Sequence, residues 1–181
     1  DALIQTYTLP YVRLIQKHLP EGSKVFLVTQ EQPHLALSAT EKQEAIASLK
    51  AENIHLIAFP YFRFGAKAIW AQLNNLFFLF RLCKTERVSE IHPWCTPAGA
   101  IGYLLSVLTG LPLVIDSLEP HAEPMLESGT WQANSLAFRL LFFLEKRQVK
   151  RAKTNIACVA KMKKYCQEKY GVTPKDFHWK P

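Results

Sequence analysis

The stretch SEIHPWCTPAGAIGYLLSVLTGLPLVIDS, residues 89–117, decides how the fold is read. SEIHPW is a short apolar strand that stops at Pro93, because proline has no amide to give a sheet ladder. Thr96 then suits a helix cap, Pro97 the first helical turn and Gly110 the helix end. LPLVIDS (111–117) is a second strand, apolar almost without a break until Asp116. A strand this uniformly apolar is covered on both faces, and the order strand, helix, strand closes a parallel crossover.

The same alternation extends outward. Upstream, KVFLVTQ (24–30) and IHLIAFP (54–60) are short, branched apolar runs bounded by turn residues, hence strands. The helix between them reads as starting at a Thr40 cap, ahead of early Glu residues. ALIQTYTLPYVRLIQKH (2–18) has helical spacing interrupted by Pro10, where the firm helix is expected to begin. A long helix follows Gly65. Downstream, ANSLAFRLLFFLEKRQVKRA (133–152) is a long amphipathic helix drifting from Glu to Lys and Arg, as its dipole favours. KTNIACVA (153–160) is a strand, and KMKKYCQEKYG (161–171) a helix closed by Gly171. The expected fold is α/β, a doubly wound Rossmann-like three-layer domain with a mostly parallel sheet, occupying 1–181 as one domain. Such folds place their first strand at the sheet centre, yet this chain opens on a helix. That strand and its loop are therefore expected to precede Asp1.

At 181 residues and 49% hydrophobic, the chain can bury a sizeable core. Its net charge of +7 gathers in EKRQVKRAK (145–153) and KMKKY (161–165). These runs suit a polyanion, a membrane surface or an anionic substrate, or are the solvated outer faces of two helices. Cys83, Cys95, Cys158 and Cys166 match neither a zinc CxxC pair nor a disulfide framework, which favours a reducing, cytoplasmic compartment. Cys83 and Cys158 read as small buried hydrophobes. The greasiest stretch, AIWAQLNNLFFLFRL (68–82), is too short for a span of about 20 apolar residues, though it suits lying on a membrane.

In an open parallel sheet, ligands bind beyond the C-terminal ends of the strands. Those ends read TQEQPH (29–34), FPYFRFG (59–65), HPWCTP (92–97), DSLEPHAEP (116–124) and VAKMKK (159–164). The fourth is the richest: Asp116, Glu119, His121, Glu123 and Glu127 place carboxylates and an imidazole on one rim, a combination suited to proton transfer or to stabilising positive charge. Asp116 also reads as a cap for loop amides, with Pro120 and Pro124 as stiffeners. His92 and Trp94 suit an acceptor pocket, Trp being a good platform for sugars, or else form the top of the core. A zinc site from His92, Cys95, His121 and Glu123 lacks the local ligand pairing of structural zinc. No GxxxxGK[ST], GxGxxG or GxSxG run occurs, and aromatics do not interleave the basic runs as nucleic-acid binding would require.

EIHPWCTPAGAIGYLLSVLTGLPLVIDSLEPHAEPMLESGTW and LEKRQVKRAKTNIACVAKMKKYCQEKYG together resemble the N-terminal half of family 4 glycosyltransferases, retaining enzymes with the two-domain GT-B fold. The family's strand ending in His is matched at His92, its G-x-P-x-V-x-D strand at GLPLVID (110–116), and its E-x-R helix end at Glu145 to Arg147. VAKMKKY (159–165) stands where the family has S-x-x-x-K-x-Y, with Ala160 replacing the frequent Ser, and QTYTLPYVRLI (5–15) is similar to the first-helix pattern. The resemblance implies the acceptor-side half of a retaining, hexosyltransferase-type enzyme, with nucleotide-sugar donor and active-site carboxylate pair on a C-terminal domain after Pro181. It implies no cofactor and no metal, and inactivity of this piece alone. Matched by position, His121, Glu119 and Asp116 are the expected catalytic residues. His92, Trp94, Glu123, Glu31 and Arg63 are the expected acceptor contacts. The expected partners are the donor, a glycan or lipid-linked acceptor and an anionic membrane surface, with no nucleic acid; the expected location is cytoplasmic, peripheral at the inner membrane face. The competing readings are a non-catalytic Rossmann-like module recruiting an anionic partner, and a sugar-nucleotide epimerase of related fold.

Overall fold

The computed structural model describes residues 4–62 and 65–180, in which helices and parallel strands alternate as a Rossmann-like α/β fold. The chain groups into two compact units, Asp1–Asn75 and Leu76–Pro181.

In the first unit a π-helical turn, Ile4–Thr8, leads into α1 (Leu9–His18). Pro10 lies in its first turn, where a missing amide costs nothing. Strands β1 (Val25–Glu31) and β2 (Ile54–Pro60) pair in parallel, Val25 opposite Ile54 and Glu31 opposite Pro60. Between them, α2 (Ala39–Ala51) starts at Ser38 rather than at the expected Thr40. Ser38 Oγ accepts the Glu41 amide and Glu41 Oε2 accepts the Ser38 amide, so two orphan donors are satisfied reciprocally. A carboxylate in the first turn also suits the helix dipole. Helix α3 (Ala66–Thr85) follows Gly65 as expected and runs from the first unit into the second.

The second unit carries the quoted segment. Helix α4 (Cys95–Thr109) ends at Gly110, whose φ of 78° is the left-handed C-terminal cap expected of glycine. The expected strand at 89–94 is reduced to two parallel bridges, Ile91 to Leu113 and Trp94 to Asp116. Pro93 supplies no donor between them, and a positive φ of 65° at Cys95 ends the extended backbone at once. Strand β3 (Val114–Leu118) is buried at every position, and the parallel order continues through β4 (Thr154–Ala157) to β5 (Phe177–Trp179). Helix α5 (Ala122–Glu127) occupies what reads in sequence as loop, and α6 (Leu136–Arg151) is capped by Ser135 Oγ. Helix α7 (Met162–Tyr165) continues as a π-helical turn, Cys166–Tyr170, closed by Gly171.

Close approach fixes α4 against its neighbours. A Cβ on Gly102 would meet Pro93 Cγ at 2.8 Å, and one on Gly99 would overlap Gln148 of α6. Only glycine lets α4 settle this near the segment carrying His92 and Trp94. The core beneath is Leu113, Ile115, Leu118, Val149, Ala157 and Tyr170, all essentially inaccessible. Cys83 is buried as expected, whereas Cys158 is half-buried and Cys166 takes the enclosed position.

Candidate functional site

Two neighbouring segments of the second unit are bridged near the C-terminal rim of the parallel strands. Trp94 bridges to Asp116, and the residue after each, Cys95 (φ 65°) and Ser117 (φ 51°), turns into the left-handed region. Such a conformation costs a non-glycine residue roughly 1 kcal/mol or more, and strain of this kind concentrates at functional sites.

Four side chains meet there. The His92 and Trp94 rings are stacked, centroids 5.8 Å apart and planes within 9°. His92 Nε2 lies 3.6 Å from Asp116 Oδ2, a contact longer than a hydrogen bond. Lys180 Nζ lies 2.6 Å from Asp116 Oδ1 and 4.7 Å above the Trp94 ring. Ser117 Oγ donates to the same carboxylate at 3.2 Å. The Asp116 side chain is only 6% exposed. Burial alone would push its carboxyl up, but His92 and Lys180 hold it below the ordinary aspartate value. The arrangement therefore presents a fixed, ionised carboxylate beside an imidazole, an ammonium and an indole. Lys180 is the member that sequence reasoning missed, because β5, which delivers it, is only three residues long.

The loop from β3 to α5 is held from three directions. The Thr96 hydroxyl, expected as a cap, instead donates to the backbone carbonyl of Glu119, and Trp94 takes the capping position of α4. Thr96 is fully buried, so bonding that carbonyl satisfies a hydroxyl that water cannot reach. The Glu119 side chain remains exposed. His121, half-buried, takes the position before α5. Its backbone amide and that of Ala122 both donate to Glu145 Oε1 at 2.9 Å, while Tyr170 donates to Glu145 Oε2 at 3.0 Å. Glu145 is 1% exposed, and burial pushes its carboxyl up although these three donors pull it down. Its neighbourhood also pushes the Cys166 thiol up to about 12, burial being the main cause and Glu145 the second. Glu123 turns towards the C-terminal helix: Tyr165 donates to it at 2.7 Å and Lys169 at 2.9 Å. These donors outweigh burial and hold its carboxyl low.

Glu31 belongs to the first unit, where it pairs with Lys42 at 2.8 Å and its carbonyl accepts the Tyr61 amide. Arg63 lies outside the described residues. Burial pushes the Cys95 thiol up, which disfavours a thiolate nucleophile. Among the described residues no three His, Cys, Asp or Glu side chains converge as a metal site, and Asp116 is met by the Lys180 ammonium and the His92 imidazole.

The fold is similar to that of a solved GT-B glycosyltransferase, UGT73P12 of Glycyrrhiza uralensis, crystallised with glycyrrhetinic acid 3-O-monoglucuronide. The TM-score is 0.52 at 11% identity, over 91% of this chain and 44% of that one. This chain thus spans less than half the length of that protein, and at such identity the likeness is one of fold, GT-B-like and Rossmann-type. No protein-family model and no curated protein matches the sequence.

Removing the Glu145 carboxylate strands two amides and a buried hydroxyl. Glu145→Ala is expected to lose about 3 kcal/mol of stability, at roughly 1 kcal/mol or more per orphaned group, in urea unfolding. Glu145→Gln keeps an oxygen for both amides and loses much less. Because the folded carboxyl is raised, its contribution is full below the unfolded glutamate value and declines as pH rises through the folded one. The Gln variant should therefore gain on the wild type as pH rises through that window. A loss well under about 1 kcal/mol in Glu145→Ala would show that the carboxylate does not hold the loop.

Proposed function

We propose that this chain is the acceptor-side domain of a two-domain GT-B glycosyltransferase, one that moves a sugar from a nucleotide-sugar to a glycan or lipid-linked acceptor with retention. The observation that carries this reading is the cluster of Asp116, His92, Trp94 and Lys180 at the C-terminal rim of parallel strands, in a fold like that of a known GT-B enzyme. The family 4 motifs around His92, Asp116 and Glu145 support the finer assignment.

In this reading the rim is one wall of the active-site cleft, and the donor sits on a second domain. An ionised Asp116 accepts a hydroxyl of the incoming acceptor, and His92 and Trp94 bound its position. His121, at the start of α5, faces the transferred sugar, and Glu119 lies on the same loop. Retaining transfer passes through an oxocarbenium-like state that carboxylates and backbone dipoles stabilise. Holding both substrates in one cleft supplies a further orientation term, on the order of 7 kcal/mol in favourable cases. With the donor domain elsewhere, the present chain alone turns over no donor.

A screen of nucleotide-sugars with the full-length protein tests this directly. Transfer is expected with one of them, and Asp116→Asn and His121→Ala should each lower kcat/KM at least about tenfold, the loss of one transition-state interaction. Folded variants that keep the wild-type rate would remove both residues from the mechanism. No turnover with any donor, together with binding of an anionic partner, would favour the non-catalytic module.

The finer placement, peripheral at an anionic inner membrane face, is supported by two helices. Among the described residues no helix is long and apolar enough to cross a membrane. Helix α3 exposes Ile69, Trp70, Leu73 and Phe77 and has no acidic residue. Helix α6 exposes Leu136, Leu140 and Phe143, and its one carboxylate, Glu145, is buried, so its outer face is purely cationic and apolar. Apolar side chains bordered by lysine and arginine suit the interface of an anionic bilayer. The protein should float with phosphatidylglycerol vesicles and be released by high salt; failure to float would remove the membrane from this account.

A further inference from the structure

We propose that Lys180 is a positioning residue of the rim site, anchoring the Asp116 carboxylate beside His92. The proposal depends on the transferase reading only for its last readout.

The backbone explains why the residue is in place. The Lys180 amide donates to the Ala157 carbonyl at 3.0 Å, which extends the pairing of β5 with β4 by one residue and fixes where its side chain departs. Asp116 lies on β3, two strands away across β4. Two strand spacings are about 10 Å, a gap that two facing side chains close only when one of them is long. Lysine closes it to 2.6 Å, with its ammonium over the indole of Trp94. That ring face replaces part of the hydration the ammonium gives up, since its side chain is 17% exposed.

Among the described residues, three side chains are placed against Asp116. His92 reaches it from the segment before α4, Ser117 from its own strand and Lys180 from beyond β5. The hydroxyl is neutral and the imidazole stands 3.6 Å away, so among the described residues the ammonium is the one close, permanent countercharge. Without it, a carboxyl so deeply buried is pulled towards its neutral form and loses its fixed orientation. A neutral Asp116 accepts a substrate hydroxyl poorly. Lys180 would thus govern the site without touching the reacting atoms.

The test compares Lys180→Met, which keeps the stem and removes the charge, with Lys180→Arg, which keeps the charge. Carboxyl-carbon NMR follows the titration of Asp116 in each. The Met variant should move the Asp116 midpoint to higher pH, and the Arg variant should restore it towards the wild-type value. A midpoint unmoved in a folded Lys180→Met protein overturns the proposal. Should that variant fail to fold, the wild type supplies the answer: the Lys180 side-chain signals must shift with the same midpoint as the Asp116 carboxyl, and silence at Lys180 overturns the pairing. In the full-length enzyme the acid limb of the kcat/KM profile should move to higher pH in Lys180→Met and return in Lys180→Arg. A moved midpoint in a protein with no transferase activity would retain the Lys180 proposal and reject the transferase reading.

Discussion

One oxygen of Glu145 accepts the amides of His121 and Ala122, and the other accepts the Tyr170 hydroxyl. This buried carboxylate joins α6, the start of α5 and the π-helical turn after α7, three elements with no covalent reason to meet. A helix start carries unpaired amides and a partial positive charge, so a carboxylate is the natural partner. Burial opposes the charge, and the raised carboxyl records that conflict. The arrangement persists because losing the carboxylate leaves its three donors unpaired in the core, which is the larger cost.

From this anchor the rim takes its shape. With α5 pinned at its start by Glu145 and held further on by Tyr165 and Lys169 through Glu123, the loop after β3 has little freedom. The buried Thr96 hydroxyl ties the Glu119 carbonyl from the other side. Beneath that loop, Trp94 and Asp116 are bridged, and each is followed by a left-handed residue, Cys95 or Ser117. Side chains set on a stiff frame like this hold their geometry without help from a ligand, as a preorganised site requires.

The sequence made some of this plain and hid the rest, and the division is physical. Pro93, Gly110 and the apolar run ending at Asp116 act through their own backbone, so strand ends and helix stops could be read locally. Thr40 reads as the cap of α2, and only the reciprocal bonds of Ser38 with Glu41 move the start to Ser38. Helix α5 escaped notice because Pro124 and a cluster of acids spell loop, while its stabilising partner is far away in sequence on α6. Thr96 looked like a cap and serves the fold through the same hydroxyl, aimed at another segment. His92, Trp94 and Asp116 were named from their positions at strand ends, and the structure gathers them together. Lys180 gave no local signal, since its place depends on a three-residue strand pairing in parallel with β4. The motif resemblance pointed to Glu145 without saying what it does.

The most direct measurement of this account is amide hydrogen exchange at His121 and Ala122. If Glu145 anchors the rim, both amides should exchange as slowly as those of the buried β3 strand, although His121 stands outside any helix or strand. Exchange at the rate of unprotected loop amides would contradict it, because the loop carrying the acidic rim would then be free of the carboxylate that is held to shape it.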